Sequence, residues 1–371
     1  MPKNYSQLAI ELNLTPAYEN EAQLIALRHW CSDHFFSTYN ASEPKDEYQL
    51  LQKLAEDFLD LFPLHKSDIN TPNSNLAGLP PIQWATLKGY KEFLEQHINN
   101  KDPINERTPL HIAASDGNLA VVQFLLANSA DNIADREGNY PIHLALTLNM
   151  IEQQPSEKEK RLLIRADIYR KLKENNPEVL QKTDSEKRNI AHYMAVYGFN
   201  TLLRELITAK SKLLLARDGQ GLTPAHLAIR AGQTSSLIRL LKDERIKKIF
   251  DEKGTLLHYA ADSGSKNDIV ACLNAGIDEL ELDVNKRTAA MRAVLIGNDK
   301  ALPGFNIDSL SKERIGENEL TLLHLAAKNN IEASQKWLSE NTQLPSVRDK
   351  TGLLPEDYNS EQNLLASRMT P

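Results

Sequence analysis

The sequence is poor in cysteine, in positive charge and in long apolar runs. Its 371 residues include two cysteines, Cys31 and Cys272. No disulfide framework can hold such a chain, and a reducing compartment is expected. Acidic residues outnumber Lys and Arg, for a net charge of −7. That balance argues against general nucleic-acid binding, which needs a basic face, and against a polybasic membrane surface. No apolar run approaches the roughly 20 residues of a membrane-spanning helix. The first residues lack the basic-then-apolar layout of a signal peptide, so a cytoplasmic location is expected. Phosphate-loop, HExxH and GxSxG patterns are missing too, and no cofactor or metal is expected.

What is present is a repeated hairpin. In Thr108-Pro109-Leu110-His111-Ile112-Ala113-Ala114, Thr108 suits a helix N-cap and Pro109 the first helical position, where its missing N–H costs nothing. The alanines favour helix and permit close helix approach. Gly117 suits a left-handed helix end. Val121, Val122, Leu125 and Leu126 then form an apolar stripe at helical spacing. Such a unit is too small to bury its own core, and the chain supplies neighbours. The pattern returns around His143, His192, His226, His258 and His324, with weaker copies at Gln83 and Met291. From His192 the steps to His226, His258, Met291 and His324 are 34, 32, 33 and 33 residues.

A period near 33 headed by Thr-Pro-Leu-His resembles the ankyrin repeat. The resemblance covers residues 75–358 and implies an all-α solenoid of about eight repeats. Residues 1–74 fall outside the period. Helices are expected over Asn20–Phe36 and Asp46–Phe62, forming an N-terminal helical cap or domain. The step from His143 to His192 is 49 residues, which places an insertion near 149–165. A charged helix is expected there, starting after Pro155 and running through Lys173, with Ile164, Ile168 and Leu172 inward. Residues 283–315 form the most degenerate repeat. Met291 replaces the histidine, and Pro303-Gly304 falls where the second helix should run, so that helix is expected to be short or displaced. Residues 359–371 form a polar tail.

The histidines are equivalent positions about one repeat rise apart. A ladder does not converge on one metal ion, and the family resemblance implies that each braces its hairpin. Cys272 is expected to be a buried, inert thiol. In His29-Trp30-Cys31-Ser32-Asp33-His34, Cys31 and His34 share a helix face. This leaves open an enzyme whose N-terminal site uses Cys31 with His29, His34 or His65. A bivalent adaptor is a further alternative.

The expected function is protein recognition, with a protein partner and a monomeric chain. The ankyrin resemblance implies that the concave face, lined by finger tips and exposed first-helix positions, binds it. Candidate contact residues are Arg107, Arg136, Leu148, Arg188, Tyr197, Leu222 and Arg230, since Tyr and Arg are enriched at interface hot spots. The degenerate repeats, the irregular insertion and the unrelated N-terminal helices also resemble ankyrin-repeat effectors that intracellular bacteria such as Legionella inject into host cells through type IV secretion, and the polar tail is compatible with a C-terminal secretion signal. That likeness implies a host-protein target and the host cytosol.

Overall fold

The computed structural model describes residues 81–89, 91–102, 104–148 and 155–358. The N-terminal helices, Cys31 with its neighbouring histidines, residues 149–154 of the insertion and the 359–371 tail lie outside the described residues. Among those described, the fold is mostly helical. It divides into two compact units between Arg136 and Glu137.

The first unit holds two hairpins, α1 (Pro81–Lys88) with α2 (Lys91–Gln96) and α3 (Pro109–Asp116) with α4 (Leu119–Ala127). The weak copy at Gln83 therefore folds as its stronger neighbours do. Helix α1 packs on α3 and α2 on α4. Leu94, Leu110, Ala113, Ala114, Val122 and Leu125 are fully buried between them.

The second unit continues with α5 (Pro141–Ala145), α6 (Pro155–Asn175), α7 (Ile190–Tyr197), α8 (Asn200–Thr208), α9 (Pro224–Arg230), α10 (Thr234–Leu240) and α11 (Glu244–Lys247). A two-residue hairpin follows, β1 (Phe250–Asp251) against β2 (Gly254–Thr255). Then come α12 (Leu256–Ser263), α13 (Lys266–Asn274), α14 (Ala289–Leu295), α15 (Ile307–Lys312), α16 (Leu322–Lys328) and α17 (Glu332–Asn341). The first helices of the repeats, α5, α7, α9, α12, α14 and α16, lie side by side in one row. Helices α8, α10 and α13 form the second row. Buried alanines, among them Ala191, Ala195, Ala228, Ala260, Ala293 and Ala326, line the first row. Having no side chain beyond Cβ, they let helix backbones come close, and leucines such as Leu203 and Leu237 fill the layer beneath. Full burial of each such leucine contributes about 1.5–3 kcal/mol. Gly198 turns α7 into α8 with a left-handed φ of 84° that a Cβ would disfavour.

The insertion is the 21-residue helix α6, two residues longer than expected at its C-terminal end. Its inward stripe needs correction. Ile164 is 42% exposed, whereas Arg165, Ile168, Tyr169 and Leu172 are buried. The three expected residues, spaced by four, drift around a helix of 3.6 residues per turn. The observed set, at steps of three, one and three, keeps each member three or four residues from another and holds one face. Buried Arg165 directs its guanidinium at the Leu144 and Ala145 carbonyls, which end the short helix α5. It supplies a cation where the helix dipole is negative.

The seventh repeat departs from regularity where Pro303 predicts. A 3-10 turn at Leu302–Gly304 stands in for the start of the second helix, followed by the short α15. The turn packs on α13, and a Cβ at Gly304 would come within 2.9 Å of Ile269 Cβ. Beside it, in α13, Asp268 is fully buried with no protein donor reaching either carboxylate oxygen. Asp268 follows the Ser265 cap by three residues, as Val121 follows Asn118 in α4, and Val121 is buried too. A carboxylate there loses hydration without compensation. Replacing Asp268 by Val is expected to raise unfolding free energy by about 1–3 kcal/mol, read as a higher urea midpoint. An equal or lower midpoint would show that the acid is compensated.

Candidate binding surface

The surface is built on the loops that enter each repeat. Asp184, Asp218, Asp283 and Asp349 each begin a turn in which the residue three further on donates its amide back to the aspartate carbonyl. That residue is left-handed in every case: Lys187, Gly221, Lys286 and Gly352. For a lysine this conformation costs about 1–2 kcal/mol. The aspartate side chain offsets it by accepting amides across the loop. Asp184 accepts from Arg188 at 2.8 Å, Asp218 from Gln220 and Leu222, Asp283 from Asn285 and Arg287, and Asp349 from Thr351 and Leu353. Successive loops also bond directly: Ser185 N–H to Glu137 O, Gly219 N–H to Glu186 O, and Lys350 N–H to Asn318 O.

A first-helix residue then clamps the loop's second carboxylate oxygen. Tyr193 donates to Asp184 at 2.7 Å, Tyr259 to Asp251 at 2.9 Å and Tyr358 to Asp349 at 2.6 Å. Arg292 does the same for Asp283 at 3.3 Å while also bonding Asp262 and the Lys253 carbonyl. Burial pushes the Asp184 and Asp283 carboxyls up, but the bonds they accept, from Tyr193 and Arg188 and from Arg287 and Asn285, outweigh it and hold both low. Burial and the facing carboxylates drive the Tyr193 and Tyr259 phenols well above their ordinary range, so they remain donors.

The histidines join loop to helix. Nδ1 of His111, His192, His226, His258 and His324 accepts the N–H of the cap residue three positions earlier, at 3.1–3.2 Å. With Nδ1 an acceptor, the neutral ring carries its proton on Nε2. That proton reaches into the next repeat: His192 to Leu222 O, His258 to Arg287 O and His324 to Leu353 O, at 3.0–3.1 Å. His143 reaches Lys182 O and stacks on Tyr193. The bracing role implied by the family resemblance is present in atomic detail.

His226 is the exception. The aspartate precedes the cap by five residues in Asp184–Asn189, Asp218–Thr223 and Asp283–Thr288, but by four in Asp251–Thr255. The shortened loop closes as β1–β2. Gly254 takes a φ of 101°, and a Cβ there would lie 2.7 Å from His258 Nδ1. No carbonyl reaches His226 Nε2, which has no hydrogen-bond partner. The Asp251 carboxylate lies 3.6 Å away, and the Tyr259 ring packs edge-on at 4.2 Å.

Two of the expected contact residues, Arg107 and Arg136, belong to the first unit. Arg107 pairs with buried Asp135 at 3.0 Å, and Arg136 with Glu106 at 3.5 Å. The other five lie in the second unit. Leu222 must be withdrawn as a contact residue. It is 8% exposed, because its backbone serves Asp218 and His192 and draws the side chain inward. Arg188 is occupied by Asp184, Glu186 and the Tyr193 ring. Leu148 and Tyr197 are half-buried and Arg230 is exposed, the last bonding Gln220. Leu148 and Tyr197 each stand five residues after their repeat's histidine. Ile296, 54% exposed, holds the same place after Met291 and was missed. Its signal was an apolar residue at that solvent-facing register. Cys272 is buried as expected, its thiol pushed up to about 12 by burial and then by Asp268, which suppresses the nucleophilic thiolate. Among the described residues, no His, Cys and acidic side chains gather as a metal site, and no helix is long and apolar enough to cross a membrane.

Hairpins headed by a bridging histidine and joined by aspartate-clamped loops define the class: the chain carries ankyrin repeats and has the mostly helical ankyrin-repeat fold. The family model for ankyrin repeats in three copies matches residues 82–153 and 191–279. The chain is similar to a transient receptor potential cation channel subfamily A member 1 homolog of Caenorhabditis elegans, 22% identical over 70% of this chain and 20% of the relative. It is similar to ankyrin repeat protein nuc-2 of Neurospora crassa, 26% identical over 67% of this chain and 25% of the relative. Alpha-latrotoxin-Lh1a of Latrodectus hasselti is 27% identical over 45% of this chain and 11% of the toxin. The chain thus spans a quarter or less of these relatives.

Burial holds the His192 and His258 rings below their ordinary range and takes His226 from 6.5 to about 4. In the unfolded chain these rings charge near 6.5; in the folded one they resist. Stability is therefore complete above about pH 6.5 and is lost as pH falls toward 4. His226 alone accounts for about 3 kcal/mol of that loss. In urea titrations between pH 7 and 4, His226→Gln should shrink the fall in stability by roughly this amount. An unchanged pH dependence would contradict it.

Proposed function

We propose that the chain binds a protein partner through the side of the second unit where the first helices end and the loops project. Ankyrin repeats imply protein–protein interaction. Here the supporting observation is the row at the helix ends, where Leu148, Tyr197 and Ile296 each stand five residues after the histidine or methionine of their repeat, with exposed Arg230 at the end of α9. The aspartates and histidines around them spend their polar groups inside the frame. A surface fixed in this way loses little entropy on binding.

A narrower form of the proposal supplies the setting: a bacterial effector whose partner is a host protein. The irregular repeats and the polar tail support it. Host-cell entry of a translocation reporter that disappears when residues 359–371 are removed is the expected result; no entry of the full chain overturns it.

Affinity capture from cell lysate, followed by titration of the captured protein, tests the surface. Tyr197→Ala combined with Arg230→Ala should weaken binding by about 2 kcal/mol or more while leaving the melting temperature in place. Unchanged affinity removes this surface as the binding site.

A further inference from the structure

We propose a second docking site on the opposite, second-helix side of the fifth and sixth repeats, one that takes an acidic amphipathic helix of a partner protein. Helices α10 and α13 pack side by side and leave a groove of about 550 Å³ between them. Ile238 and Val270 line it, with Lys242 and Lys247 at one end. An adjoining hollow of about 430 Å³, lined by Phe250 and Ile277, shares Lys247 and Ala275 with the groove and continues it toward β1. Ile238, Val270 and Phe250 are 49%, 37% and 44% exposed. Three large apolar side chains along one depression make an unusual exterior for a soluble chain and mark a contact site.

Charge selects the occupant. The chain carries seven more acidic than basic charges, yet the α10–α13 groove is lined by two lysines and no carboxylate; the adjoining hollow brings Glu244, Asp278 and Glu281, so an acidic ligand seats over Ile238, Val270 and Lys242 and not over the hollow. Glu244 pairs with Lys247 at 2.6 Å. Lys242 is exposed, and no ion pair joins it among the described residues. A ligand that places apolar groups over Ile238 and Val270 and a carboxylate near Lys242 complements both features. The trough between two adjacent helices suits the ridge of a third, whose side chains at i, i+3 or i+4 and i+7 interdigitate with its walls. Asn267 and Asn274, on the same wall, add hydrogen-bonding groups at the rim. This site shares no residue with the Tyr197–Arg230 surface, so one chain has two independent contact faces.

The test uses the full chain and two synthetic 14-residue helical peptides. One carries leucine at i, i+3, i+4 and i+7 with glutamate elsewhere on the flanks; the other has lysine in place of glutamate. Methyl resonances of Ile238 and Val270 report binding. The glutamate peptide should shift both, and the lysine peptide neither. Lys242→Glu with Lys247→Glu should cut affinity about ten-fold or more, and Lys242→Gln with Lys247→Gln by less. Tyr197→Ala with Arg230→Ala should leave this affinity unchanged, which separates the site from the proposed binding surface. Unmoved methyls with the glutamate peptide, equal shifts with both peptides, or affinity that survives charge reversal would overturn the proposal.

Discussion

The bond that everything else in this molecule depends on is the one a buried imidazole makes in two directions. A helix hairpin of some 20 residues cannot bury enough apolar surface to outweigh its own conformational entropy. It must be fixed to the next. Nδ1 ties the ring to the cap of its own helix and Nε2 ties it to the loop that enters the following repeat. The Nδ1 bond forms only while the ring is neutral, and burial keeps it so. The same side chain that starts a helix thereby sets the position of the next loop.

The loops inherit their rigidity from that arrangement. An aspartate folds the turn, a tyrosine or arginine from the first helix clamps Asp184, Asp251, Asp283 and Asp349, and loops such as those at Ser185 and Gly219 bond to the loop before them. Where one piece is lost the others adjust. The one-residue shortening before Thr255 leaves His226 facing a carboxylate. Where Met291 replaces histidine, the Thr288 hydroxyl turns to Glu313 instead. In the same repeat Arg292 takes over the bridging, joining Asp262, Asp283 and the Lys253 carbonyl. The irregular repeats have changed their connections and kept their place in the row of first helices.

Much of this was legible in the sequence because it is periodic. The cap, the proline, the alanine pair and the histidine recur at near-fixed spacing, and each has a local physical reason that neighbours cannot override. The break at Pro303 was legible for the same reason, since proline inside a helix removes a backbone hydrogen bond and clashes with the preceding turn. Single side-chain exposures were not. Leu222 reads as a loop residue, yet its backbone is pulled between Asp218 and His192. Ile164 reads as part of an apolar stripe until the register of α6 is known. Arg188 reads as a free cation until Asp184 and Tyr193 are placed around it. Each of these outcomes depends on a partner distant in sequence or on a rotation of a fraction of a turn.

Amide hydrogen exchange in His258→Leu measures the two-directional bond most directly. Loss of protection is predicted at Thr255, whose amide the ring accepts, and also at Asp283 and Arg287 in the next loop, whose geometry the Nε2 bond to the Arg287 carbonyl fixes. Loss confined to Thr255, with Asp283 and Arg287 protected as before, would contradict the claim that the imidazole couples one repeat to the next.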